Sequence, residues 1–217
     1  MNETVKAARK RAVVFISGGG SNMLALVKAA SAPDYPAEIV AVISDKADAG
    51  GLAKAATLGI ATFSFVRKDY ESKDAHEAAI LSALKTLSPD IICLAGYMRL
   101  LTATFINAYE GRIINIHPSL LPLFPGLHTH ERAIDAGMTE AGCTVHFVTE
   151  GMDEGPVILQ AKVPVLPGDT ADDLAARVLV EEHRSYPGAL RLVAEGKVRM
   201  DGGRTLRDAG GFTEDLS

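Results

Sequence analysis

The apolar positions of the chain fall into short continuous runs that alternate with segments of helical spacing. Residues 12–17 (AVVFIS) are β-branched and apolar, end in Gly18-Gly19-Gly20-Ser21-Asn22, and are followed by the helix-like MLALVKAAS. A strand with no polar alternation is covered on both faces. The same order returns: residues 39–44 (IVAVIS) predict a strand, 51–58 a helix, and 60–65 a short strand introduced by Gly59. Residues 69–87 place Ile80, Leu81, Leu84 and Leu87 on one helical face, and Pro89 stops that helix before the strand 91–95 (IICLA). A helix near 102–109 and a strand at 112–116 complete the series.

The last third changes character. Residues 144–148 and 156–165 read as two strands joined by the turn-rich TEGMDEG, an antiparallel pair finishing the sheet. A long helix is predicted over 169–195, capped by Asp169 or Thr170 and broken or bent at Pro187-Gly188. Right-handed crossovers put helices on both faces of a parallel sheet. The predicted fold is therefore a single-domain, Rossmann-like α/β unit, with a mostly parallel twisted sheet, helices on both faces and a late antiparallel pair. Residues 1–11 (MNETVKAARKR) read as a polar leader, 12–200 as the domain, and 201–217 as a loose, glycine-rich tail that follows a short strand beginning near Lys197.

Composition narrows the function classes. At 217 residues, 47% hydrophobic and 23% charged, the chain is of ordinary globular character, and its net charge of -5 offers no basic field to nucleic acid or anionic lipid. Its partners are expected to be small molecules, the protein a monomer or homodimer. Cys93 and Cys143 lie in apolar runs without C-x-x-C spacing, which suits buried thiols in a reducing, cytoplasmic setting. No apolar run is long enough to span a membrane.

Three places carry candidate chemistry. A glycine turn between a buried strand and a helix lets the backbone approach a phosphate, with free N–H groups at the helix start. Residues 18–22 form such a turn, without the P-loop lysine and with Met23 where a dinucleotide motif has its third glycine. The turn equally fits a tight connection capped by Ser21 or Asn22. In Asn115-Ile116-His117-Pro118, positions i and i+2 of a strand share a face, so Asn115 and His117 emerge together where Pro118 ends the strand. An amide donor beside a titrating imidazole suits acyl chemistry, although a capped strand end with a satisfied histidine would look the same. The loop Asp153-Glu154-Gly155-Pro156 brings carboxylates between the two late strands, or is simply an acidic hairpin. His117, His128 and His130 could together ligate a metal, so a metal-dependent hydrolase is the rival reading, with a nucleotide-binding module as another. Against the hydrolase, no H-E-x-x-H or cysteine cluster accompanies them.

Taken together, ISGGGSN at 16–22, SDKADAGGL at 44–52, LAGYMRLL at 94–101, INIHPSLLP at 114–122 and DEGPVILQ at 153–160 resemble the folate-dependent phosphoribosylglycinamide formyltransferases. The Asn-x-His-Pro stretch is shared with methionyl-tRNA formyltransferase and formyltetrahydrofolate hydrolase; the extra domains of those enzymes have no counterpart in a chain of this length. The resemblance implies transfer of a formyl group from 10-formyltetrahydrofolate to the amine of glycinamide ribotide, a step of purine synthesis, with no metal. It implies Asn115, His117 and Asp153 as the catalytic set, Gly20, Ser21, Asn22 and Glu182 around the ribotide and its phosphate, and Lys73, Met98, Arg99, Leu100, Leu101 and Asn115 around the folate. Leu179 departs from the family, which often has a glutamine there to assist the phosphate.

The residue chemistry is consistent with that scheme. An amine attacks a formyl carbon directly, so no serine or cysteine nucleophile is needed. Asn115 and a protonated His117 would both donate to the oxyanion, and a nearby Asp153 would favour the imidazolium.

Overall fold

The computed structural model describes residues 8–208. Strands β1 (Lys10–Ile16), β2 (Ala37–Ser44), β3 (Ala61–Ser64), β4 (Ile91–Leu94) and β5 (Ile113–His117) pair in parallel, and β6 (Glu140–Phe147) and β7 (Val157–Pro164) add antiparallel neighbours. The order is β3-β2-β1-β4-β5-β6-β7, so the chain winds outward to β3 and then crosses to the other side of β1. Ligands of such sheets bind beyond the carboxyl ends of the strands at that reversal. Here it lies between β1 and β4.

The pattern along β1 explains the layers. Ala12, Val14 and Ile16 face one core with Met23 and Leu26 of α1 (Ser21–Ala30) and Val178, Tyr186 and Leu190 of α6 (Ala171–Ala194). Val13 and Phe15 face the other, with Ile80 and Leu84 of α3 (Lys73–Leu87) and Phe105 of α4 (Ala103–Ala108). Burial on both faces removes any reason for polar alternation. Two shorter helices, α2 (Gly50–Thr57) and α5 (Thr129–Asp135), flank the site.

Several boundaries differ from the sequence reading. β1 begins at Lys10, inside the segment assigned to the leader, and the Arg9 side chain bonds to the carbonyls of Ala30 and Ala37. α3 starts at Lys73 because the Ser72 side chain caps it, accepting from the Ala75 N–H. β6 begins at Glu140, four residues early. α1 begins at Ser21 with Gly20 as its cap, and neither Ser21 nor Asn22 caps it. α6 opens with a Thr170/Asp173 capping box and runs unbroken through Pro187, whose carbonyl accepts from the Tyr35 hydroxyl at 2.6 Å. Its Tyr186 hydroxyl reaches the Leu94 and Ile114 carbonyls, and packing on the sheet outweighs the one backbone bond proline removes. Residues 201–207, assigned to a loose tail, join a hairpin of β8 (Val198–Asp201) and β9 (Arg204–Arg207). Gly202 and Gly203 both have positive φ, as its two-residue turn requires, and Thr205 and Arg207 bond to the β7 carbonyls of Val157 and Ile158. The remainder of that tail, and residues 1–7 of the leader, lie outside the described residues.

Candidate active site

Three strand ends and one loop converge on a cleft. β1 delivers the glycine turn, β4 delivers residues 95–101, β5 delivers Asn115 and His117, and the β6–β7 connection delivers Asp153. One lobe of about 520 Å³ is lined by Asn22, Met98, Asn115, His117, Asp153 and Glu182, among others. A second of about 290 Å³ is lined by Lys73, Arg99, Leu100, Leu101, His146 and Met152. Arg99, Leu100, Asn115 and Asp153 belong to both, so the lobes form one continuous site. Gly20 and Ser21 stand at the start of α1 beside Asn22; neither lines a lobe. Leu179 is half-buried, outside both.

The His117 side chain is fixed from both sides. Its Nε2 lies 3.0 Å from the Phe124 carbonyl and its Nδ1 3.4 Å from Asp153 Oδ2. The Phe124 carbonyl accepts only, so Nε2 carries a proton and Nδ1 faces the Asp153 carboxylate. Asp153 Oδ2 also accepts the Gly126 N–H at 2.9 Å. Phe124, His128 and Asp153 all have positive φ, three of the four such non-glycine residues among those described, and all border the site.

His146, which sequence reasoning passed over as part of an apolar strand, completes the arrangement. Across the β5–β6 ladder it is the register partner of Asn115, and its Nε2 lies 3.2 Å from Asn115 Nδ2. Its Nδ1 is 2.8 Å from the Phe147 carbonyl, which accepts only. In the neutral ring the proton therefore sits on Nδ1, and Nε2 accepts from Asn115, leaving the second amide N–H of Asn115 for the cleft. Burial holds His146 below the usual histidine range, opposed by the Phe147 carbonyl and by Asp153, whose Oδ1 is 3.9 Å away. The only sequence signal was a histidine in a strand two residues from Thr144. His130 is also lowered by burial and by the neighbouring His117.

At the other end, Asn22 donates from Nδ2 to Glu182 Oε2 at 2.6 Å, and its Oδ1 is buried without a protein partner. The first intrahelical bond of α1 runs from Leu24 to Gly20, so the N–H groups of Ser21, Asn22 and Met23 stay free at the helix start. Burial raises Glu182 above the usual carboxylate range, against the Asn22 amide and the nearby His183 and His117. Gly155 closes the Asp153 loop: a Cβ there would overlap the Phe147 carbonyl, while Phe147 donates to Pro156 O at 2.9 Å. Among the described residues, no three His, Cys, Asp or Glu side chains are arranged to hold a metal ion; His128 pairs instead with Glu131.

A doubly wound sheet that brings a paired His–Asp and an oriented amide donor to its carboxyl edge is the arrangement acyl transfer calls for. Residues 10–190 match the formyl transferase family, and the chain belongs to it. The chain is 72% identical to the phosphoribosylglycinamide formyltransferase of Brucella melitensis, whose crystal structure superposes with a TM-score of 0.84 over 86% of this chain and 96% of that one. It is 46% identical over 188 residues to the phosphoribosylglycinamide formyltransferase of Escherichia coli (strain K12), covering 87% of this chain and 89% of that protein. It is also 50% identical over 193 residues to the trifunctional purine biosynthetic protein adenosine-3 of Drosophila pseudoobscura pseudoobscura, of whose length it spans 14%.

Proposed function

We propose that this chain transfers the formyl group of 10-formyltetrahydrofolate to the amine of 5′-phosphoribosylglycinamide. The observation that carries this reading is the convergence of Asn115, His117 and Asp153 from a strand end and a distant loop on a cleft that Asn22, at the free N–H groups of the α1 start, also lines. The substrate amine attacks the formyl carbon, the carbonyl oxygen becomes an oxyanion, and the bond from carbon to the folate nitrogen then breaks. Asn115 has one N–H free for that oxyanion, whereas both His117 nitrogens are already engaged. His117 therefore stabilises it as a nearby positive charge, and through a direct bond once the Phe124 carbonyl moves aside. Asp153 lines the cleft and holds the water that carries a proton from the attacking amine to the departing folate nitrogen.

Binding divides along the cleft. The free N–H groups beside Gly20, Ser21 and Asn22 hold the ribotide phosphate, while Asn22 Oδ1 and Glu182 take its hydroxyl and amine donors. Met98, Leu100 and Leu101 cover the pterin, with Lys73 and Arg99 at the lobe's edge. No metal is required, and residues 10–207 act as one catalytic unit working in the cytoplasm on small molecules. The test is an assay with 10-formyltetrahydrofolate and glycinamide ribotide, with tRNA and water as competing acceptors. Transfer to the ribotide is expected; transfer to tRNA alone would overturn the assignment.

A further inference from the structure

One buried carboxylate that formyl transfer leaves unused is Asp45, which follows β2 and is only 3% exposed. Its Oδ2 lies 2.7 Å from Arg99 Nε, and its Oδ1 accepts the Ser17 hydroxyl at 2.5 Å. That hydroxyl in turn accepts the Met98 N–H at 2.9 Å, and Ser17 N–H donates to the Gly96 carbonyl at 3.1 Å. One buried carboxylate thus ties the ends of β1 and β2 to the segment 96–99 that leaves β4. A buried carboxylate persists only where donors satisfy it, and this one has a cation on one oxygen and a hydroxyl on the other. Arg99 has a side chain 41% exposed and lines both lobes of the cleft. A free arginine samples many rotamers; the bond at Nε removes that freedom and leaves the two Nη groups without a protein partner among the described residues.

We infer that Asp45 is a positioning residue for the donor end of the cleft: through Arg99 and the Ser17 hydroxyl it holds residues 96–100 in the shape that receives the folate. This rests on the assignment of the second lobe to the formyl donor. Without Asp45, Arg99 and the loop lose their anchor, and the donor has to order them on binding.

The experiment is steady-state kinetics of Asp45→Ala, Arg99→Ala, the double variant and Asp45→Asn, with Leu101→Asp as a control on the donor assignment. Asp45→Ala is expected to raise the donor KM about tenfold while kcat stays within about threefold and the ribotide KM within about twofold. The double variant should lose much less than the product of the two single losses, because Asp45 acts in large part through Arg99. Asp45→Asn, which keeps an acceptor for Arg99, should recover most of the affinity. An Asp45→Ala protein that melts earlier but keeps its donor KM would make Asp45 a fold anchor only and overturn the inference. So would independent, multiplicative losses. If Asp45→Ala fails to fold, Asp45→Ser, whose side chain is too short to reach Arg99 Nε, takes its place alone and in the Arg99→Ala background. If Leu101→Asp leaves the donor KM unchanged, the donor assignment itself falls, an outcome distinct from failure at Asp45.

Discussion

The ribotide end of the cleft and the folate end are made of different material. Asn22 and Glu182 come from helices, α1 and α6, and already bond to each other at 2.6 Å, with free backbone N–H groups beside them. Met98, Leu100 and Met152 come from two loops and are half or more exposed. A small charged ligand is best met by donors fixed in advance, since ordering them on binding would consume the affinity they supply. A flat, largely apolar ligand can supply the missing contact area itself, covering side chains that stand open without it. The first end is therefore expected to fail by loss of individual hydrogen bonds, the second by loss of apolar area.

The largest expected effect falls where the two ends meet. His117→Ala and Asp153→Ala should each lower kcat by about 10² to 10³ with little change in either KM. Their direct contact predicts that the double variant loses much less than the product. Single-turnover rates would show this, and multiplicative losses would assign the two side chains to separate steps.

Next comes Asn22→Ala, expected to raise the ribotide KM by about 10- to 100-fold, the range for losing hydrogen bonds in a charged site, and to spare the donor. It separates the two ends better than Gly20→Val, because Gly20 has φ 71° and an added Cβ would lie 3.0 Å from the Gly51 Cα, distorting the turn itself. Equal weakening of both substrates by Asn22→Ala would dissolve the division. Leu101→Asp is its mirror image, with a donor KM raised about tenfold by lost apolar burial and a ribotide KM unchanged.

A smaller effect concerns acid stability. His146 is lowered in the folded protein, so the unfolded chain takes up its proton first as pH falls below about 6.5, the ordinary value. Its contribution to stability is complete above that value and is lost as pH falls through the lower folded one. Melting temperatures between pH 7.5 and 5 should decline less steeply for His146→Asn than for the parent; parallel curves would remove His146 from the acid response. Smallest of all, Leu179→Gln should improve the ribotide KM by a few-fold at most, as one added donor near the phosphate end.

How far the sequence exposed these features depended on the range of the interaction. Continuous apolar runs announced the buried strands, and the i, i+2 spacing of Asn115 and His117 placed them on one face, because both facts are local. His146 was invisible in that sense: its importance comes from facing Asn115 across a ladder, 31 residues away in the chain. Asp45 sat within a recognised motif, yet its role needs Arg99, 54 residues on. Pro187 misled for a related reason, since local chemistry argues for a break and only the packing of α6 on the sheet overrules it. The first strand of the late hairpin was expected near Lys197, but its partner was missed because the glycines after it were read as a loose end when Gly202-Gly203 supplies the positive φ of a tight turn.

The close approach at Gly155 has a consequence for how this protein can vary. With no room for a Cβ against the Phe147 carbonyl, that position tolerates no other residue unless the strand end itself shifts. Glu154, next to Asp153, is exposed and lines neither lobe, whereas Met152 on the other side lines both. In a library of single variants the segment would thus read as one silent position at Glu154, one that shifts donor affinity at Met152, one that slows turnover at Asp153, and one at Gly155 that costs folded product. The loop can explore surface chemistry around its carboxylate while the pivot that aims it stays fixed.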